Sequence, residues 1–376
     1  MIYFDNASST RPIDKCLDAF LIAAKESYYN PSSIHAPGMK LFNDINRIKE
    51  NFLKKLKLDN NYEVIFTSGA SESNNLALVG YALKNKGRGR KLITTKIEHE
   101  SVLEVFKYLE TQGFQVTYLN INSEGKIDID EFKKAIDNQT ILVSMMGVNN
   151  ELGNVLNIKE IKEVIEDYPK CVLHSDLAQT LGKEKFDFTL PDMFTISAHK
   201  IYGLKGIGAL VKKKKIMLTP LIYGGGQENG LRSGTYDYPS IVSFNASLNF
   251  IIEHFDEFYK KSKEMQAFLI ENLQKIDEVV INNYPNNSSP YIVNFSLKTK
   301  KASVVVEALS NKEIYVSSVS ACNSKKEGAS YVLLAANKSM HEASNSIRLS
   351  LGKDNTIEEC KIFIEVLKNI LRTVRG

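Results

Sequence analysis

A repeated alternation of short apolar runs and helix-like stretches, between residues 63 and 213, constrains the fold of this 376-residue chain most. Each apolar run ends in polar residues or glycine, and apolar residues at helical spacing usually follow. Strands that alternate with helices predict a mostly parallel sheet, and therefore an α/β protein. The predicted strands cover residues 64–66, 91–95, 115–121, 141–146, 171–173, 193–196 and 207–211.

Polar side chains collect just after these strands. Open α/β sheets bind their ligands at the carboxyl ends of the strands, so we expect those side chains to share a site. Each one alone can equally be a helix cap, a turn residue or a satisfied core group, but their joint position favours a site. The candidates are His99, Asn150, Asp176, Gln179, Ser197, His199 and Lys200.

The densest cluster of such residues lies within residues 197–208. A hydroxyl, an imidazole and an amine occur within four positions, and three glycines that permit tight turns follow. Desolvation lowers the pKa of a lysine at such a strand end, which allows it to act as a nucleophile or form a Schiff base. The alternative is an ordinary surface lysine, since the chain has 48 lysines and arginines.

Residues 63–76 form a strand, a Ser-Gly turn and a helix that begins near Ser71. Free backbone N–H groups and the helix dipole at such a terminus attract anions. A capped helix without a ligand is an equally good interpretation. The spacing excludes a Walker A phosphate loop. A second glycine-rich stretch, residues 223–235, offers Arg232 and Thr235 to an anion.

After residue 238 the pattern changes. A long helical pattern over residues 239–276 is typical of a connection between domains, and a second α+β region follows from residue 291. In that region, one cysteine, Cys322, lies in a polar loop; alone it is most simply a surface thiol. The other three cysteines are widely scattered, so the chain has neither a disulfide framework nor paired metal-ligand spacing.

Composition narrows the class of protein. The net charge is only +4 and basic residues do not alternate with aromatic ones, so nucleic-acid binding is not favoured. No apolar run is long enough to span a membrane, and the N-terminus lacks the pattern of a secretory signal. We therefore expect a cytoplasmic protein with no membrane partner and with reduced cysteines.

Together these motifs resemble the cysteine desulfurases of the NifS/IscS type, which are pyridoxal-phosphate enzymes of fold type I in the class V aminotransferase family. The resemblance implies a large cofactor domain, residues 14–257, with a mostly parallel seven-stranded sheet. It also implies a smaller α+β domain, residues 1–13 and 258–376, that carries the catalytic cysteine loop. The matching stretches are residues 5–7, 30–33, 66–75, 98–99, 149–153, 176–183, 197–208, 224–235, 320–322, 330–333 and 346–352.

The resemblance also assigns roles in cofactor binding. Lys200 holds pyridoxal 5'-phosphate covalently, Asp176 pairs with the pyridinium nitrogen, and His99 stacks on the ring and transfers protons as a catalytic residue. Gln179 and Asn150 contact the phenolic oxygen of the ring. The phosphate group lies at the helix N-terminus that follows Gly69. Its predicted ligands are Ala70, Ser71, Ser197, His199 and, from a second subunit, Thr235.

The implied reaction converts L-cysteine to L-alanine. Arg348 binds the substrate carboxylate and Asn150 also contacts the substrate, while Cys322 attacks the substrate sulfur and becomes a persulfide. The family also implies a homodimer and a protein that accepts the sulfur, for iron–sulfur cluster assembly or for tRNA or cofactor thiolation. Other enzymes of the same cofactor class, an aminotransferase or a selenocysteine lyase, are the nearest alternatives. An idle scaffold of the same fold is a further one.

The chain departs from the family pattern without losing a catalytic group. Ser71 replaces a threonine, Leu177 a small residue, Leu204 a proline, and Val319 a glycine just before the Ser-Ala-Cys segment. The chain ends soon after Leu371 and lacks the longer C-terminal segment with which IscS-type members dock a scaffold protein. We therefore expect a NifS-like or dedicated sulfur donor.

Overall fold

The computed structural model describes residues 1–318 and 328–373. The strands are β1 (Ile2–Tyr3), β2 (Tyr62–Thr67), β3 (Lys91–Thr95), β4 (Gln115–Leu119), β5 (Thr140–Ser144), β6 (Val172–Asp176), β7 (Met193–Ser197), β8 (Gly208–Lys213), β9 (Val279–Ile281), β10 (Ile292–Leu297), β11 (Ile314–Tyr315), β12 (Ser317–Ser318) and β13 (Ser346–Ser350). The helices are α1 (Asp14–Glu26), α2 (Ala36–Lys55), α3 (Ala70–Asn85), α4 (Glu100–Thr111), α5 (Ile129–Ala135), α6 (Ile158–Ile165), α7 (Tyr238–Glu253), α8 (Phe255–Leu273), α9 (Ala302–Ser310), α10 (Tyr331–Ala335), α11 (Met340–Ser344) and α12 (Ile357–Thr373).

A seven-stranded sheet forms the centre of the fold, in the order β2-β8-β7-β6-β5-β3-β4. Strand β8 runs antiparallel to β2 and β7, whereas the remaining neighbours pair in parallel. The prediction of a mostly parallel sheet is therefore confirmed. The polar residues that end β5, β6 and β7 lie at one edge of the sheet, as the sequence predicted.

Helices cover both faces of this sheet, and the alternation along β2 shows why. Val64 and Phe66 pack in one apolar cluster with Phe52 of α2 and Phe244 of α7. Ile65, between them, packs on the opposite face, in a cluster that α3 and α4 help to form. Because both faces are buried, strands such as β7 are buried at every position, and only Thr195 and Ser197 among its residues are polar.

A second, four-stranded antiparallel sheet has the order β12-β13-β10-β9. It shares an apolar cluster with α8, α9 and α12. The N-terminal segment joins it to the large sheet: Asp5 pairs with Ser350 of β13, and the N–H of Thr10 donates to the carbonyl of His199. The first ten residues therefore pass between the two sheets, next to Lys200.

One helical prediction was wrong in detail. The long pattern over residues 239–276 forms two helices, α7 and α8, that are separated by His254. His254 has φ −102° and ψ 11°, outside the helical region, and its ring stacks on Phe258 at 5.5 Å between centroids. The apolar spacing continues across this break, so the pattern alone did not reveal it. None of the helices in the described parts of the chain is both long and apolar enough to cross a membrane.

Candidate active site

A cleft of about 490 Å³ opens at the carboxyl edge of the large sheet, beneath the N-terminal segment. Residues from both sheets and from the N-terminal segment line it. Nine residues that the sequence singled out lie there, so the structure brings most of the predicted site together. These nine are Ala70, Ser71, His99, Asn150, Asp176, Gln179, His199, Lys200 and Arg348.

Lys200 ends a single 3₁₀ turn, Ala198–Lys200, that directly follows β7. Its amine donates to the backbone carbonyls of Ala7 and Ser8, both at 2.7 Å. These two contacts hold the amine in the cleft, where a carbonyl compound can reach it. A lysine in this position is suited to covalent attachment of an aldehyde.

Asp176 ends β6, and both of its carboxylate oxygens accept a hydrogen bond from the protein. Asn74 donates to Oδ2 at 2.8 Å, and the N–H of Ala178 donates to Oδ1 at 3.0 Å. Each oxygen retains a further lone pair, so the carboxylate can still accept from a ligand in the cleft. A buried carboxylate of this kind suits a protonated ring nitrogen.

Asp176 is linked to His99 through two other side chains. The amide of Asn74 also donates to Ser101 Oγ at 2.9 Å, and that hydroxyl lies 2.9 Å from Nδ1 of His99. The backbone N–H of Ser101 donates to the same Nδ1 at 3.1 Å. Nδ1 is thus an acceptor, which places the proton of the neutral ring on Nε2.

The turn between β2 and α3 has the geometry of an anion site. Gly69 adopts φ +154° and ψ −177°, a conformation almost restricted to glycine, and α3 begins at the next residue. A Cβ on Gly208 would lie 2.8 Å from Gly69 Cα, so glycine at 208 permits β8 to approach this turn. The first N–H groups of α3 therefore face the cleft from Ala70 and Ser71.

Ser197, which ends β7, and His199, which follows it, are the remaining predicted anion ligands of this chain. The hydroxyl of Ser197 is buried and has no hydrogen-bond partner among residues 1–318 and 328–373. Burial, assisted by Lys200, Lys183 and Lys205, lowers the pKa of His199 to about 4. His199 is therefore neutral at physiological pH and can donate or accept a hydrogen bond without adding charge.

Arg348 lies on β13 and reaches across to the large sheet. Its guanidinium donates to Asp5 Oδ1 at 2.9 Å, to Ser8 Oγ at 2.8 Å and to the carbonyl of Asn150 at 2.8 Å. Its Nε and the side-chain oxygen of Asn150 are buried without a partner in the described residues. A carboxylate in the cleft would satisfy the first of these groups.

Comparison with known proteins identifies the family. The class-V aminotransferase family matches residues 2–363. Cysteine desulfurase IscS 1 of Archaeoglobus fulgidus is 37% identical over 379 aligned positions, which cover 100% of this chain and 98% of the relative. A NifS/IcsS protein homolog of Lactobacillus delbrueckii is also 37% identical, over 98% of this chain and 97% of the relative.

The chain belongs to the cysteine desulfurases of the class-V aminotransferase family. A solved NifS-like protein superimposes with a TM-score of 0.92 at 33% identity, and covers 99% of this chain and 100% of the other. A structure described as SspA in complex with cysteine gives a TM-score of 0.80 at 35% identity, over 93% of this chain and 99% of the other. These likenesses confirm the fold type I architecture.

Three residues with predicted roles in a cysteine desulfurase either do not line the cleft or lie outside the described residues. Ser197 is buried and does not line the cleft. Thr235 is exposed and does not line the cleft of its own chain. Cys322 lies outside the described residues, as does Val319. The other cysteines, 16, 171 and 360, are buried, and burial raises their pKa to about 11, 12 and 12. Those three are thus poor nucleophiles.

Sequence reasoning missed several residues that hold this desulfurase site in place. Asn74 orients Asp176, and Asp5 orients Arg348. Lys183 donates a hydrogen bond to Gln179. Glu98 is a fully buried carboxyl next to His99 in the sequence. Only Lys183 had a local signal, because it lies four residues after Gln179, at helical spacing. The others come from elements distant in sequence.

Proposed function

We propose that this cysteine desulfurase binds pyridoxal 5'-phosphate in the cleft, converts L-cysteine to L-alanine and collects the sulfur as a persulfide on Cys322. One observation carries the proposal: an amine, a carboxylate and a guanidinium, from Lys200, Asp176 and Arg348, converge on one cleft. Each of the three is held in place by hydrogen bonds to its own chain.

The cleft fits a phosphorylated, ring-shaped cofactor. The start of α3 and the unpartnered hydroxyl of Ser197 offer donors to a phosphate group, and neutral His199 adds no charge to that corner. The unpartnered side-chain oxygen of Asn150 marks a second position that lacks a polar contact. A buried polar atom without a partner is costly, which favours a ligand that supplies the missing hydrogen bonds.

The residues around the ring have separate tasks. Lys200 would anchor the cofactor covalently, Asp176 would keep its ring nitrogen protonated, and His99, with its proton on Nε2, would contact the ring. Gln179 donates to the phenolic oxygen. When bound, the cofactor supplies an electron sink for the carbanion that forms when the amino acid loses its α-proton.

The sulfur step needs a carboxylate clamp and a thiolate. Arg348 and Asn150 orient the amino acid, and Lys200 is placed to move the α-proton. The thiolate of Cys322 attacks the substrate sulfur, the carbon–sulfur bond breaks, and its electron pair stays with the three-carbon product. Proton uptake then yields L-alanine, while the sulfur remains as a persulfide on Cys322. A protein that accepts sulfur, for iron–sulfur cluster assembly or for thiolation of tRNA or a cofactor, completes the turnover. The predicted compartment of this reaction is the cytoplasm.

A homodimer is part of the proposal. Ile34 is 94% exposed and Tyr223 is 75% exposed, and Gln227 and Ser32 bring their two loops together at 3.5 Å. The exposed Thr235 belongs to the second of these loops. An apolar surface of this kind favours association with a second copy, in which Thr235 would reach the phosphate group of the partner.

Borohydride trapping tests the cofactor assignment. Protein incubated with pyridoxal phosphate and reduced should carry the pyridoxyl group on Lys200, located by peptide mass spectrometry. Lys183 and Lys205 are internal controls, since both lie close to the same cleft. Attachment at either of them instead of Lys200, or no attachment, would contradict the proposal.

A further inference from the structure

Lys183 is a buried lysine that none of the roles above uses. Its side chain is 5% exposed, and its amine donates to Oε1 of Gln179 at 2.6 Å. The two residues lie four positions apart in a turn with helix-like hydrogen bonds, such as that from Glu184 N–H to the carbonyl of Thr180. This spacing places both side chains on one face of the turn.

The backbone around Lys183 is tightly packed. Gly182 has φ +71°, and a Cβ at that position would lie 2.1 Å from a side-chain carbon of Ile251 in α7. The turn is therefore pressed against α7, which fixes the backbone that carries Lys183. Lys183 is therefore part of the buried, well-packed region behind Gln179.

Two neighbours determine the orientation of the Gln179 amide. A lysine amine donates hydrogen bonds, so the atom that faces Lys183 is the amide oxygen. On the other side, Nε2 donates to the backbone carbonyl of Ala7 at 2.8 Å. The reverse orientation would set the amide nitrogen against the Lys183 donor and the oxygen against a carbonyl. The second N–H of this amide is therefore available to a ligand in the cleft that Gln179 lines.

These contacts extend to Lys200. The carbonyl of Ala7 accepts from Gln179 and also from Lys200, so Lys183, Gln179, Ala7 and Lys200 form one hydrogen-bonded chain. Burial lowers the pKa of Lys183 well below its usual value, and the positive charges of Lys200 and Arg348 lower it further. Lys183 is connected to the cleft through its hydrogen bond to Gln179.

We propose that Lys183 is a positioning residue that locks the Gln179 amide with its N–H toward the cofactor, so that the phenolic oxygen of the bound cofactor is held in its deprotonated form. The proposal rests on the proposed function, because it requires pyridoxal phosphate in the cleft. It assigns Lys183 no contact with the cofactor. Its effect should therefore disappear when the Gln179 amide is absent.

A pH titration of the visible absorbance of the bound cofactor tests this. In Lys183→Met, only the Ala7 carbonyl still orients the amide, so the N–H group that faces the deprotonated oxygen is less firmly held. We expect the midpoint pH of the absorbance transition to rise by about one unit or more, the effect of one lost hydrogen bond to a charged group. Gln179→Met should produce a similar shift, and the double variant should shift no further than Gln179→Met alone.

The controls separate the possible failures. Lys212→Met removes a buried lysine that pairs with Glu63 outside the cleft, and should leave the midpoint unchanged. A wild-type midpoint in folded Lys183→Met, or additive shifts in the double variant, would overturn the inference while the proposed function stands. A wild-type protein that binds no pyridoxal phosphate would overturn both.

A second variant tests the inference in case Lys183→Met does not fold. Gln179→Glu keeps an oxygen toward Lys183 but replaces the cleft-facing N–H by an oxygen. We expect the midpoint to rise by about one unit or more, because the deprotonated oxygen loses a donor and gains a negative neighbour. An unchanged midpoint would mean that an oxygen already faced the cofactor, and the inference would be wrong.

Discussion

At the scale of single residues, the guanidinium of Arg348 is already engaged by its own protein. Asp5, Ser8 and the carbonyl of Asn150 hold it, and only Nε lacks a partner in the described chain. Such a group is oriented before substrate arrives, which lowers the entropic cost of binding. It is also specific to arginine, because a lysine amine cannot satisfy this set of acceptors and a carboxylate together.

Arg348→Lys should therefore weaken substrate binding more than it slows turnover. We expect KM for L-cysteine to rise about tenfold or more, equivalent to about 1.4 kcal/mol, with a smaller change in kcat. Steady-state kinetics with a thermal melt of each protein would measure this. Lys298→Arg, at an exposed lysine, serves as the control substitution. An unchanged KM in the Arg348 variant would remove the carboxylate role.

Glu98 provides a second residue-scale test. Burial raises the pKa of Glu98 to about 8, from 4.5. Two hydrogen bonds to Glu98 oppose this rise, and the nearby charge of Asp176 adds to it. The folded protein keeps a proton that the unfolded chain releases above about pH 4.5, so the contribution of this group to stability falls as the pH rises toward about 8. Glutamine cannot ionise and should not show this loss.

We therefore predict that the Tm of wild type falls relative to Glu98→Gln between about pH 5 and about pH 8.5. Thermal melts in matched buffers measure the difference. Glu264→Gln changes an exposed carboxyl and should melt in parallel with wild type throughout. A constant difference between wild type and Glu98→Gln across this range would show that Glu98 is ionised in the folded protein.

At the scale of elements, the sequence predicted where the site lies better than what supports it. Short apolar runs followed by polar residues located β5, β6 and β7 and the rim that they share, because parallel strands must end at the same edge. The support from Asn74 to Asp176 spans 102 residues and has no local pattern. The break at His254 was missed for the same reason, since apolar spacing does not record a change of backbone direction.

The close approach of β8 to the turn before α3 gives an element-scale prediction. Gly208→Ala places a Cβ 2.8 Å from Gly69 Cα and from the carbonyl oxygen of Ile196, so the backbone must shift. Overpacking of this kind costs about 1–3 kcal/mol. We expect a lower Tm and weaker binding of pyridoxal phosphate, measured by equilibrium dialysis.

Gly87→Ala is the matched control, since a Cβ there meets nothing within 4 Å. It should retain both the Tm and the affinity for the cofactor. If Gly208→Ala loses stability but binds the cofactor as tightly as wild type, then the turn before α3 is not the phosphate site.

At the scale of the whole molecule, two apolar cores meet along α8. Phe258 packs with the large sheet, whereas Met265, Leu269 and Leu273 pack with the small one. The predicted boundary at residue 257 falls inside this helix and remains a prediction. The arrangement links the two sheets through one continuous element, while Arg348 and the N-terminal segment connect them at the cleft.

The proposed homodimer gives a prediction at this scale. Ile34→Asp together with Tyr223→Asp introduces charge into the exposed apolar surface and should convert the dimer to a monomer, measured by light scattering. Without Thr235 from a partner, the monomer should also lose pyridoxal phosphate more readily on dialysis. Met217→Asp, at another exposed apolar side chain, should remain dimeric. A double variant that remains dimeric would place the interface elsewhere.

Mass spectrometry of the protein after a single turnover with L-cysteine tests the central claim most directly. With the acceptor withheld, Cys322 should carry one added sulfur atom in the wild-type protein, in step with L-alanine formation. Cysteines 16, 171 and 360 should remain unmodified, since all three are buried. Cys322→Ser should carry no persulfide and release no sulfide. Wild-type rates of L-alanine and sulfide formation by Cys322→Ser would contradict the account.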